Sequence, residues 1–226
     1  SVDLPFVNGT ALPTGSALAG KTFLLEAAIW GGSSGHIITV DNLILGGTCG
    51  ILTSDFGDHY FSATSSASQA GSTLLKIGTA ATDPELTDPS TVGADKDDLT
   101  GTDDEDLTMP VLTAGTSTTL SVPVTATLAS LSGSAARAIV FADWNGDGDV
   151  VDTNETLAVQ TVANGTNTLS FGLNPPAGTV PGTKYLRIRV SESAATPAFN
   201  GLSSLVGEVE DYAINVIGAT AVGNLV

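Results

Sequence analysis

The chain has 226 residues, 42% of them hydrophobic, and its 24 acids against 7 Lys and Arg give a formal net charge of −17. That length and apolar content can bury a core, but no Lys/Arg surface able to displace phosphate counterions can be assembled, which argues against nucleic acid and anionic membranes as partners. Divalent cations are the natural counterpart of so many carboxylates, because clustered like charges repel until something neutralises them. With 26 Gly, abundant Ser and Thr and no long run of Leu, Glu, Lys and Arg at helical spacing, the composition fits short strands joined by turns. Cys49 is alone, so no intrachain disulfide is available. No apolar stretch reaches the length of a membrane-spanning helix, and the start at Ser1 is read as a mature product whose export signal has been removed.

Residues 1–50 are expected to form N-terminal strands of an incomplete sandwich or a strand-exchange segment, with 21–30 as the first strong strand and 36–45 as a second strand pair. Residues 51–110 read as an acidic, loop-rich linker packed on the next domain. It holds Asp55-Phe56-Gly57-Asp58, a short strand candidate over 73–77, and an acidic run that includes Asp103, Asp104, Glu105 and Asp106. A second cation site is expected if Asp103, Asp104 and Asp106 fold onto Asp55 and Asp58; a solvated acidic loop is the plainer alternative.

Residues 111–218 read as an antiparallel β-sandwich, with 219–226 as a C-terminal tail or strand. Residues 118–129 alternate small polar and apolar side chains, and Pro123 suggests an edge position. Residues 136–142 are a buried strand. Strands over 156–161 and 166–173 are separated by Asn164-Gly165, a hairpin signal. In Tyr185-Leu186-Arg187-Ile188-Arg189-Val190 the two Arg side chains lie on the face opposite Leu186, Ile188 and Val190.

The stretch richest in chemistry is Asp143-Trp144-Asn145-Gly146-Asp147-Gly148-Asp149, continued through Asp152 to Glu155. Oxygen side chains at alternate positions with Gly148 at the turn suit a hard cation, since Ca²⁺ takes six to eight oxygen ligands. The pattern resembles the first half of an EF-hand loop, but Asn154 stands at its twelfth position and Glu155 comes one residue late. A strand rather than a helix precedes it, so this is a metal loop on a β scaffold. Glu208 and Glu210 alternate with Val209 on an extended segment. With Val209 facing the core, if that strand lies beside 138–141, one or both of the acids complete the shell of Asp143, Asn145 and Asp147. Arg187 or Arg189 then neutralises whichever carboxylate stays off the metal. The bland reading is that Glu208, Glu210 and Asp211 cap an exposed strand end.

The order of these motifs resembles a known family. Asp-Trp-Asn-x-Asp-Gly-Asp with a later Glu, then Gly-x-x-x-Leu-Arg-x-Arg-Val, then Gly207-Glu208-Val209-Glu210-Asp211-Tyr212, is similar to the GEVED domain across residues 136–217. The resemblance implies an all-β, jelly-roll or immunoglobulin-like module of large exported or cell-surface bacterial proteins, calcium-binding and not known as catalytic. That family usually carries a cysteine between the Arg strand and the GEVED motif. Residues 194–205 have none, so this loop must be held another way.

No enzyme chemistry is nameable. There is no nucleophile elbow and no phosphate-cradling loop, and His36 and His59 lack zinc-like spacing. Trp30 and Trp144 are read as core residues rather than a sugar-stacking pair. The expected function is therefore a non-catalytic, calcium-stabilised extracellular subunit that forms a fibre or layer with copies of itself. Pairing would run through edge strands at 2–7 and at 214–217 onward. The alternative is a calcium-dependent adhesin or carbohydrate-binding module of a larger surface protein.

Overall fold

The computed structural model divides the chain into two compact units, residues 1–47 and 48–226. It describes residues 54–80, 82, 85, 87–95 and 107–219, all in the second unit. The expected N-terminal strands, Cys49, His36, Trp30, the acids Asp103, Asp104 and Asp106 and the tail at 220–226 lie outside the described residues.

Among the described residues ten strands follow in chain order. They are β1 (Ser54–Phe56), β2 (Ala67–Ala70), β3 (Leu75–Ile77), β4 (Leu112–Thr113), β5 (Thr118–Ala126), β6 (Arg137–Asp143), β7 (Gln160–Thr161), β8 (Gly165–Leu173), β9 (Gly182–Ser191) and β10 (Gly201–Ile217). The large sheet runs β1-β2-β10-β9-β6-β7, with β4 also on β10, and a three-stranded sheet runs β3-β5-β8. The all-β sandwich read from the sequence is the fold. Most pairings are antiparallel, but β10 runs parallel to both β2 and β4. Residues 54–77, in the stretch read as a linker, supply three strands: β1 and β2 to the large sheet and β3 to the small one.

Over the middle of the large sheet both faces are buried. On β9, Leu186, Ile188 and Val190 join Ala138, Val140 and Ala142 of β6 and Ile214 and Val216 of β10 in the main core, against Leu120, Val122, Phe171 and Leu173 of the small sheet. The opposite face carries Ile139 and Phe141 with Arg187 and Arg189, and the two Arg residues are 0% and 3% exposed. The Arg side chains do lie opposite the apolar row, but in a second interior rather than in water. Segments 54–70 and 192–201 cover them.

Four local expectations are corrected. β5 is the central strand of its sheet, not an edge. Pro123 is tolerated because the Gly78 N–H already meets its carbonyl just where β3 ends, so its missing N–H falls past the end of that neighbour. Asn164-Gly165 does not close a hairpin: β7 before it belongs to the large sheet and β8 after it to the small one. There Gly165 adopts φ +91°, and the Asn164 Oδ1 accepts the Leu128 N–H at 2.9 Å. The strand expected over 156–161 shortens to β7 with an isolated bridge at Thr156. Residues 214–217, expected as a pairing edge, are engaged within the chain's own sheet: Ile214 to Val216 pair with β9, and Val216 and Ile217 pair with β4.

Candidate functional site

Asp143 ends β6, and the loop after it is built on its carboxylate. Oδ1 accepts the Gly146 N–H at 2.6 Å and Oδ2 accepts the Gly148 N–H at 3.0 Å. The Asn145 Oδ1 accepts the Asp147 N–H at 3.0 Å, and its amide donates to Asp147 and Asp152 at 2.8 and 2.6 Å. Asp149 accepts the Val151 N–H at 3.1 Å. Glu155, 1% exposed, reaches back so that its two oxygens accept from Trp144 and Asp152 N–H groups at 3.0 and 3.2 Å. Burial pushes the Glu155 carboxyl up, opposed by those two N–H groups and reinforced by the charges of Asp143 and Asp152. Trp144 is a core residue, 2% exposed, whose indole N–H is accepted by the Asn154 carbonyl. Gly148 has φ +85°, and a Cβ there would meet the Phe61 carbonyl at 2.4 Å, so the loop sits tightly on segment 59–62.

Glu208 and Glu210 are not part of this loop. Strand β9 lies between β10 and β6, and the register sets Glu210 level with Ile188 and Val140. Three residues and two strand spacings therefore separate it from Asp143, roughly 14 Å. The faces also differ. Both Glu side chains share the inner face with Tyr212, Ile214 and Val216, whereas Val209 and Asp211 lie on the outer face with Asp143. Val209 is buried as expected, 0% exposed, but in the second interior rather than the main core. Period-two alternation identifies two faces but cannot say which is the main core when both are buried.

What meets Glu208 and Glu210 is Asp55. Among the described residues, these three form the one group of three acids whose ligand oxygens lie within 4.8 Å of one another, and all three are buried. Asp55 on β1 reaches β10, where its Oδ1 accepts the Val209 N–H at 2.8 Å. Glu208 in turn accepts the Ile77 N–H of β3. The cluster thus joins β1, β3 and β10. Donors of this kind fit a hard cation: oxygens on opposite sides of Ca²⁺ stand about 4.8 Å apart at ~2.4 Å per bond. Asp58, also 0% exposed, is held through its carbonyl, which accepts the Thr91 N–H at 2.6 Å.

Asp211 has a different role, which the sequence reading missed. The Arg187 Nε and Nη2 donate to its two oxygens at 2.8 and 2.7 Å, a two-pronged pair with both side chains 0% exposed. The His59 N–H also donates to Asp211 at 2.9 Å. Arg187 further bonds the carbonyls of Ser65 and Phe199, and its guanidinium lies 5.0 and 5.1 Å from the Phe61 and Phe199 ring centres. Arg189 donates to the carbonyls of Ala198, Asn200, Ser68 and Gly201 at 2.9 to 3.0 Å. Burial and the charge of Arg187 lower its pKa to about 10, so it stays charged at neutral pH. These two Arg residues hold the cysteine-free loop. Beside them the His59 ring stacks on Tyr185 at 3.5 Å between centres. Burial lowers the His59 pKa, partly offset by Asp211.

Fold and site together define an all-β sandwich module with two acidic centres and a buried Arg–Asp lock. Residues 137–215 match the family model of the GEVED domain, as the motif order implied. No curated protein matches the chain. Among solved structures it is similar to the CARDB domain of a Pyrococcus furiosus protein in complex with di-metal ions, with 18% identity and a TM-score of 0.32 over 50% of this chain and 90% of that one. It is also similar to native alpha-2-macroglobulin from Escherichia coli, from domain MG7 to the C-terminus, with 18% identity and a TM-score of 0.30 over 50% of this chain and 16% of that one. Among the described residues no helix is long and apolar enough to cross a membrane.

Proposed function

We propose that the chain is a non-catalytic, calcium-stabilised structural subunit of an extracellular or cell-surface assembly. The observation that supports the cation most directly is the convergence of buried Asp55, Glu208 and Glu210 within 4.8 Å. A divalent ion there ties the early strands β1 and β3 to the long β10, with water and backbone oxygens filling the remaining positions. The Asp143–Glu155 loop is the second centre. An ion among Asp143, Asp147, Asp152 and Glu155 favours the ionised Glu155 that burial disfavours. Stiffness rather than sensing is the role this reading assigns to both. The acidic composition, the GEVED match and the paired sheets support an exported module that associates with its own copies by strand pairing.

Thermal unfolding in calcium and in chelator tests the cation. Saturation at a hundredfold over Kd adds ~2.7 kcal/mol. Glu208→Gln and Asp143→Ala each remove one part of that gain and so separate the two centres. Identical melting in calcium and in chelator rejects the proposal. Electron microscopy of the protein with calcium tests assembly, and monomers alone at high concentration reject it.

A second reading, a calcium-dependent glycan-binding module, is favoured by an open cleft beside the Asp143 loop lined by His59, Tyr60, Tyr185, Lys184 and Asp143. A glycan array with and without chelator decides it: binding that chelator abolishes supports this reading, and no binding removes it.

A further inference from the structure

Resting on the assembly reading above, we infer that the seam between two copies is the outer edge of β8, paired antiparallel with β8 of a second copy about a twofold axis. Among the described residues, the strands with an open edge are β1, β3, β4, β7 and β8. The first four are three residues or shorter, which is how native sheets commonly blunt an edge. Strand β8 is nine residues long, Gly165-Thr-Asn-Thr-Leu-Ser-Phe-Gly-Leu173, without a proline or a charge.

The direction of its backbone groups follows from the register. On β5 the Pro123 carbonyl points to β3, where it accepts the Gly78 N–H, so even-numbered β5 residues turn their N–H and C=O to β8. Val122 opposes Leu169 and Leu120 opposes Phe171. The odd-numbered residues of β8 are therefore bonded to β5, and Thr166, Thr168, Ser170 and Gly172 turn theirs outward. The Gln160 side-chain amide already donates to the Ser170 carbonyl at 2.6 Å, standing in for a neighbouring strand. Thr166, Thr168, Ser170 and Gly172 are also all exposed.

Charge and symmetry identify the occupant as a second copy. The chain carries −17, so two copies repel over most of their surfaces. Residues 107–136 and 156–183, which hold β5 and β8, contain no Asp, Glu, Lys or Arg. Two copies can approach there without opposing like charges. With Leu169 on the twofold axis, Thr166 faces Gly172 and Thr168 faces Ser170 of the second copy. All four outward residues are then used, in about eight backbone hydrogen bonds flanked by a row of hydroxyls. Gln160 must release Ser170 for this to happen.

Light scattering of the full chain in calcium over a concentration series tests the seam, with Thr168→Pro and Thr168→Lys as variants. Thr168→Pro removes an N–H that β5 does not use, and Thr168→Lys places a charge on an exposed position in the seam. Each is expected to weaken association roughly tenfold or more, because a twofold seam loses every contact twice, while the melting temperature stays near that of the parent. Thr168→Lys keeps the test open if the proline variant misfolds. Association unchanged in a folded Thr168→Lys chain overturns the β8 seam and leaves the assembly reading standing. A parent that stays monomeric at all concentrations overturns both.

Discussion

Over the middle of the large sheet, where segments 54–70 and 192–201 cover its outer side, the two faces are both buried and chemically opposite. The inner face, with Leu186, Ile188 and Val190 of β9 on Phe171 and Leu173, is held by apolar burial, which is tolerant of small errors in position. The outer face has the same strands but turns Arg187, Arg189 and Asp211 to segments 54–70 and 192–201. Its covering is fastened by directed bonds from guanidinium groups to backbone carbonyls. One face needs volume filled, and the other needs every charge and carbonyl matched. They should therefore fail differently.

The largest expected effect is on the polar face. Arg187→Met leaves the Asp211 carboxylate buried without its guanidinium and is expected to cost about 3–5 kcal/mol in urea unfolding. Adding Asp211→Leu to it should recover much of that loss. On the apolar face Ile188→Ala is expected to cost about 2–4 kcal/mol, and adding Val140→Ala should deepen the loss rather than relieve it. If the Arg187–Asp211 double variant loses the sum of its parts, the distinction between the faces fails.

The next effect concerns the closeness of β10 to β9. A Cβ on Gly207 would stand 2.0 Å from the Val190 carbonyl oxygen, which is the physical reason for the glycine that opens the Gly-Glu-Val-Glu-Asp motif. Gly207→Ala is expected to lower stability by about 1–3 kcal/mol, read as a shift in the unfolding midpoint without a change in slope. A midpoint like that of the parent would mean the two strands separate without cost.

The smallest effect lies just past β9, where Glu192 accepts the Ser132 hydroxyl and the Gly133 N–H, the latter at 2.8 Å. Burial alone would raise its pKa, but these bonds outweigh it and hold the carboxyl below its ordinary value of 4.5. A lowered folded pKa gives stability that is present above the unfolded value and lost as pH falls through the folded one. Glu192→Gln should therefore cost about 1 kcal/mol at pH 7 and progressively less on acidification below pH 4.5. A cost independent of pH would assign the effect to packing rather than to the charge.

Much of this molecule was legible in local sequence. Strand β9 was readable because Leu186, Ile188 and Val190 alternate with Arg187 and Arg189, and the Asp143 loop because its oxygens, its glycines and the turn they make are neighbours in the chain. The GEVED signature was legible for the same reason: its residues are contiguous. Asn164-Gly165 marked a true turn, but whether the strands on either side pair or part between two sheets depends on partners far along the chain.

The sequence by itself determined the all-β class, the strand alternation and the residue types available for a cation. Only the tertiary structure decided that Glu208 and Glu210 turn inward to meet Asp55, because that contact spans most of the chain and no local pattern encodes it. It also decided that Arg187 takes Asp211 and that residues 194–205 are held by guanidinium groups. Alternation marks two sides of a strand; which side is the main core, and what covers the other, is settled when distant segments pack.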